Sequence, residues 1–122
     1  MTSIELATVD QIILGHAVSF VRVGDGGGVV TIEGDFTVEV DGETHPVSPE
    51  SIVGSGAILL GLLHQVVHAA TVGDDGTLTL TIGSATVTVP PSADFEAWTY
   101  AAEDGRRVVC MPGGELAVWA GD

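Results

Sequence analysis

Lysine is absent from this chain of 122 residues, and arginine occurs only at Arg22, Arg106 and Arg107, against 17 aspartates and glutamates. The formal charge is -14. Binding a nucleic-acid backbone takes lysine and arginine to release counterions, so nucleic acid is excluded as a partner. Anionic membrane surfaces are disfavoured for the same reason. Cysteine occurs once, at Cys110, which permits no internal disulfide and fits a reducing cytosol. The longest apolar stretch, Ala57 to Leu63, falls well short of the roughly 20 residues that span a bilayer. The first ten residues carry Glu5 and Asp10 and no basic cluster, so no secretory leader is expected and a cytoplasmic location is. Aromatic residues make up only 5%, so the core must be largely aliphatic.

What is present argues for a folded domain. Hydrophobic residues make up 45% of the chain, whereas a disordered acidic tail pairs high charge with low hydrophobicity. The length suits one domain, residues 1–122, with one core. Seventeen glycines point to many turns.

The apolar pattern is mostly period two. Thr77 to Ile82, Gly83-Ser84 and Ala85 to Val89 read as a hairpin, with the glycine supplying the positive φ of a type II′ turn. Pairing Ile82 with Ala85 sets Leu80 against Val87 and Leu78 against Val89 on one face, and threonines against threonines on the other. Further strands are expected over 17–23, 29–33, 36–40, 43–47, 65–72, 95–102, 106–111 and 115–119. Pairing Val72 with Thr77 would put His68 beside Thr81. An Asp104-Gly105 turn would set Glu103 opposite Arg106 and Met111 opposite Trp98. Ser48, Pro49 and Glu50 read as the start of a helix reaching Leu63, weakened by Gly54, Gly56 and Gly61.

A shift of 49 residues superimposes Val18 on Val67, Val23 on Val72, Gly24 on Gly73, Gly34 on Gly83 and Val38 on Val87. Two three-stranded meanders joined by the helix would produce that pattern, as would unrelated meanders with Gly-Asp turns. The expected fold is therefore α+β. It is a curved antiparallel meander of two repeats, partly barrel-like, with one helix packed on it: 10–47 first meander, 48–63 helix, 64–122 second meander.

No catalytic constellation, cofactor motif or metal motif stands out, and none is assigned. His64 and His68 have a metal-ligand spacing only if one helix carries both, and His16 and His45 lie elsewhere. Cys110, between Val109 and Met111, reads as a core residue rather than a nucleophile. Glu33, Glu96 and Glu115 are carboxylates among apolar or glycine neighbours, and a buried one could serve as a general acid or base. Trp98, Tyr100 and Trp119 form either the heavy end of the core or the wall of a ligand pocket or interface. The glycine runs at 26–28 and 113–114 lack the strand-to-helix context of a phosphate loop.

Three segments carry a family resemblance: Thr31-Ile32-Glu33-Gly34-Asp35-Phe36, Phe95-Glu96-Ala97-Trp98, and the run from Val109 through Met111-Pro112-Gly113-Gly114 to Trp119. Together they resemble a group of small actinobacterial proteins of unknown function. The resemblance implies a single-domain actinobacterial cytosolic protein and brings no catalytic residues with it.

Two functions follow from these residues. In the first, the chain is a non-enzymatic protein-binding module, immunity-like or regulatory, whose acidic surface meets a basic protein. In the second, it binds or transforms a small molecule in the curved sheet near Trp98, Tyr100 and Glu96. A homo-oligomer built through sheet edges is a third arrangement. Several acids fall at expected loop tips (Asp25, Asp41, Asp74, Asp75, Glu103, Asp104), where acid is also turn chemistry. The deciding carboxylates are then Glu33, Asp35, Glu39, Glu96 and Glu115.

Overall fold

A computed structural model describes residues 8–23, 28–102 and 104–120. Alternating Val, Ile, Leu and Thr produce strands here because one side of each pleat can be buried while the other meets water. The strands are β1 (Thr8–Leu14), β2 (Val18–Val23), β3 (Gly28–Ile32), β4 (Phe36–Val40), β5 (Glu43–Val47), β6 (Val67–Val72), β7 (Leu78–Ile82), β8 (Ala85–Val89), β9 (Trp98–Ala102), β10 (Arg107–Cys110) and β11 (Leu116–Trp119). They form a six-stranded sheet ordered β1-β2-β3-β9-β10-β11 and a five-stranded sheet ordered β5-β4-β8-β7-β6. Every pairing is antiparallel.

The two inner faces share one apolar core. Phe20, Val30, Ile32, Trp98 and Tyr100 come from the first sheet, and Phe36, Val38, Leu78, Leu80, Ile82 and Val87 from the second. Full burial stabilises each such side chain by about 1.5–3 kcal/mol. The outer face of the second sheet is a threonine surface, with Thr37, Thr88, Thr79 and Thr71 in one row and Thr44, Glu39, Thr86 and Thr81 in the next.

This arrangement corrects the expected single meander. The β7–β8 hairpin has the expected register, but β3 does not turn back onto β4. It pairs with β9 instead, and the Glu33-Gly34-Asp35 connection crosses to the other sheet. The amides of Glu33 and Gly34 both donate to the Ala97 carbonyl, at 2.9 and 3.2 Å, which ties the crossing to β9. The two stretches related by the 49-residue shift therefore match strand for strand yet pair differently. β6-β7-β8 is a meander within one sheet, while β2-β3 and β4 lie in separate sheets. β1 adds to the first sheet a strand outside those expected from the sequence, which begin at residue 17.

Among the described residues, the edges of the two sheets come together through backbone bonds at one corner. Thr8 bridges Val66, and His64 and Val9 are joined through backbone hydrogen bonds, as are Val9 and Gln65. Among the described residues β5 and β11 have no strand on their outer sides, so no barrel closes.

The expected helix over 48–63 is two short pieces, a 3-10 turn at Pro49–Gly54 and an α-helix α1 at Gly56–Leu60. Ser48 occupies the N-cap position ahead of Pro49, but its side chain makes no capping bond, and Ser51 leaves helical geometry. Glycines at 54, 56 and 61 deny the segment the propensity for a continuous helix. Leu59 and Leu62, buried in the core, hold it in place. Among the described residues no helix is long and apolar enough to cross a membrane.

Candidate functional site

Connectivity separates the loops into two sets. The connections 33–35, 73–77, 90–97 and 111–115, and the segment after Val47, all leave the strand ends marked by Ile32, Val72, Val89, Cys110 and Val47, at one end of the sandwich. They carry Glu33, Asp35, Glu50, Asp74, Asp75, Asp94, Glu96 and Glu115. All are exposed except Glu96, which is half-buried. No arginine lies on these loops. Arg22, Arg106 and Arg107 are at the opposite end, where β2 and β10 meet the far turns. The opposite end also carries the exposed acids Asp41, Glu43 and Asp104, but among the described residues it alone holds arginine, so the excess of negative charge lies at the first end.

Like charges so close repel, and backbone contacts hold the loops in place. Asp75 opens a tight turn by accepting from the Thr77 amide at 2.9 Å, while Gly73 and Gly76 close it through backbone bonds. Gly76 (φ +92°) and Gly114 (φ +96°) lie against each other backbone to backbone, so a Cβ on either would strike the neighbouring loop. The Gly113 amide donates to the Ser92 carbonyl at 2.7 Å, joining a third loop. From below, the indole Nε1 of Trp98 donates to the Gly76 carbonyl at 2.9 Å, and the Cys110 thiol reaches the same oxygen at 3.5 Å. The acidic end is a braced platform on the core.

Its surface is shaped. A depression of about 360 Å³ is lined by the acids Glu33, Asp35 and Glu50 together with Pro90, Pro91 and Phe95. Phe95 is 45% exposed, an aromatic ring left in water beside three carboxylates. Asp35 and Pro90 also line a neighbouring groove of about 630 Å³, walled by Thr37, Thr88, Pro46, Ser51 and Ser55. Such a surface is chemically suited to a cationic group on an apolar stem, as in lysine or arginine. Hydrogen bonding to Thr77 holds the Asp75 carboxyl below its ordinary range, so it stays ionised. Burial, then the nearby Asp75 charge, raises the Cys110 thiol.

The expected site residues are divided by this geometry. Glu33 and Asp35 share the depression, and Glu96 and Glu115 lie on neighbouring loops of the same end. Glu39 stands apart, exposed on the threonine face opposite Thr44 and Thr86. Trp98 and Tyr100 are core residues, 0% and 1% exposed, and neither they nor Glu96 line the two cavities above. Trp119 lies on β11, 52% exposed, with the Arg107 guanidinium 5.9 Å from its ring centre.

Two registers slip by one residue from expectation. The 73–77 turn pairs Val72 with Leu78 rather than Thr77, so Ala69 rather than His68 faces Thr81, and a bulge at His68 returns Val67 to the expected register opposite Ile82. The β9–β10 loop is longer, so Val108 faces Tyr100 and Cys110, not Met111, falls opposite Trp98. Gly105 at φ +93° supplies the extra residue. Arg106 pairs with Asp104 at 2.9 Å, and the expected Glu103 partner lies outside the described residues, as does Asp25. Among the described residues no group of three His, Cys, Asp or Glu side chains is placed to hold a metal.

Glu50, Asp74, Asp75, Asp94 and Phe95 belong to this end without having been singled out. Glu50 has a local explanation as a helix-start residue, Asp74 and Asp75 as turn residues and Phe95 as the start of a strand, and only the two-sheet topology gathers their loops together.

Residues 1–120 match the model of a family of unknown function, DUF6188. Searches of curated proteins and of solved structures return no match. By that match over nearly its whole length, the chain belongs to the DUF6188 family.

Proposed function

We propose that this protein is a non-enzymatic binding module, immunity-like or regulatory, of an actinobacterial cytosol, and that its acidic end receives a basic protein. The observation that carries the reading is the segregation of eight carboxylates onto loops at one end of the sandwich, with every arginine at the other. A polarised field accelerates and orients the approach of a cationic partner. The braced loops lower the ordering cost of binding. The depression between Glu33, Asp35, Glu50 and Phe95 offers a seat for a lysine or arginine side chain.

The test is affinity capture from an actinobacterial lysate across a salt series. The reading expects basic proteins that elute as ionic strength rises, because exposed charge pairs are screened within about 10 Å at 0.1 M salt. Capture indifferent to salt would count against it.

The small-molecule reading, first placed near Trp98, Tyr100 and Glu96, is supported instead at the groove of about 630 Å³ walled by Thr37, Thr88, Pro46 and Ser51. Its size is that of a ligand pocket. A bulky replacement such as Thr88→Trp would abolish small-molecule binding there and leave salt-sensitive protein capture intact.

A further inference from the structure

The four sheet edges are not alike. β1 bulges after Val9, and its start is tied to the 64–66 segment. β6 bulges at His68. β5 carries Glu43 and Pro46. Bulges, charges and proline are the devices that keep an edge strand from pairing with another chain. β11, Leu116-Ala117-Val118-Trp119, has none of them, and it exposes Val118 by 62% and Trp119 by 52%.

We propose that β11 is the seam of a homodimer, pairing antiparallel with β11 of a second copy about a two-fold axis through Ala117. The Met111 amide donates to the Glu115 carbonyl. Ladder alternation then turns the polar groups of Ala117 and Trp119 toward β10 and those of Leu116 and Val118 outward. With Ala117 on the axis, Leu116 and Val118 of one copy meet Val118 and Leu116 of the other, giving four backbone hydrogen bonds and one continuous sheet across both molecules. The smallest side chain of the strand sits at the crossing point. Exposed Val118 gains an apolar neighbour on the same face.

Charge selects the second copy as the occupant. In this register Trp119 of one copy lies beside Glu115 of the other. Arg107, already over the Trp119 ring, is then two strands, about 10 Å, from that carboxylate, within reach of two extended side chains. Antiparallel pairing also sets the acidic end of each molecule beside the arginine end of the other, so two chains of charge -14 associate without opposing their carboxylate clusters.

Sedimentation or light scattering on the whole chain tests this. A species of two-chain mass is expected for the wild type. Val118→Pro removes an amide that β10 does not use, and Val118→Lys installs an edge charge. Both should keep the wild-type circular dichroism and weaken association at least about tenfold. Arg107→Glu and Glu115→Arg should each weaken it about fivefold, and the double exchange should restore it. A wild type that stays monomeric to about 1 mM, or a dimer indifferent to both Val118 variants, would overturn the proposal. Association lost on Val118→Lys yet indifferent to both charge reversals would overturn the register.

Discussion

The indole nitrogen of Trp98, a core residue of the six-stranded sheet, donates to the backbone carbonyl of Gly76, in a turn of the five-stranded sheet, at 2.9 Å. This one bond ties the largest buried side chain to the loop carrying Asp74 and Asp75. Trp98→Phe removes the donor and leaves the buried carbonyl only the weaker thiol of Cys110. The expected loss is about 2–4 kcal/mol in urea unfolding. A loss below about 1 kcal/mol would mean the bond contributes nothing to the platform.

Gly113 and Gly114 provide an internal control. Both have left-handed φ, but Gly113 faces open space while a Cβ on Gly114 meets the Asp75 backbone. Gly113→Ala should cost about 1–2 kcal/mol, the left-handed strain alone. Gly114→Ala should cost more, about 3 kcal/mol or above, because backbone cannot move aside cheaply. Equal thermal shifts would show that the two loops do not brace each other.

Cys110 is 0% exposed, and its thiol is raised by burial and then by the Asp75 charge. Thiolate is the reactive form. A thiol reagent at pH 8 should label the native chain at least about 100-fold more slowly than the urea-unfolded chain. Comparable rates in the two states would place the sulfur outside the core.

The Asp75 carboxyl is held below its ordinary 3.8, first by the Thr77 amide. A lowered native value means the unfolded state binds the proton more readily, so the contribution is present above about 3.8 and is lost as pH falls through the lower native value. Asp104, held down chiefly by the Arg106 amide, adds to the same window. The stability gap between wild type and Asp75→Asn should therefore be constant near neutrality and narrow below pH 3.8. A gap that widens on acidification would contradict the sign.

Alternation and turn chemistry made individual strands readable. Gly83-Ser84 and the Thr/Leu alternation defined the β7–β8 register because both faces of that hairpin had to agree. Which sheet a strand joins depends on long-range bonds with no local signature, such as the Ala97 carbonyl accepting from Glu33 and Gly34. One-residue slips in β6 and β10 likewise arise from the lengths of the turns that follow Val72 and Ala102, which alternation does not set. The acidic end was half visible. Glu33, Glu96 and Glu115 stand out by their neighbours and Asp35 as an acid outside the expected turns, while Asp74 and Asp75 look like turn residues, which they also are.

The most direct test of the acidic end compares two triple variants of equal charge change. Glu33→Gln/Asp35→Asn/Glu50→Gln neutralises the depression, and Glu39→Gln/Asp41→Asn/Glu43→Gln neutralises exposed acids away from it. Binding of the captured basic partner is measured for each by calorimetry at fixed ionic strength. The first variant is expected to weaken binding at least about tenfold and the second by less than about twofold. Equal weakening by both would reduce the effect to bulk charge and contradict a docking surface at this end.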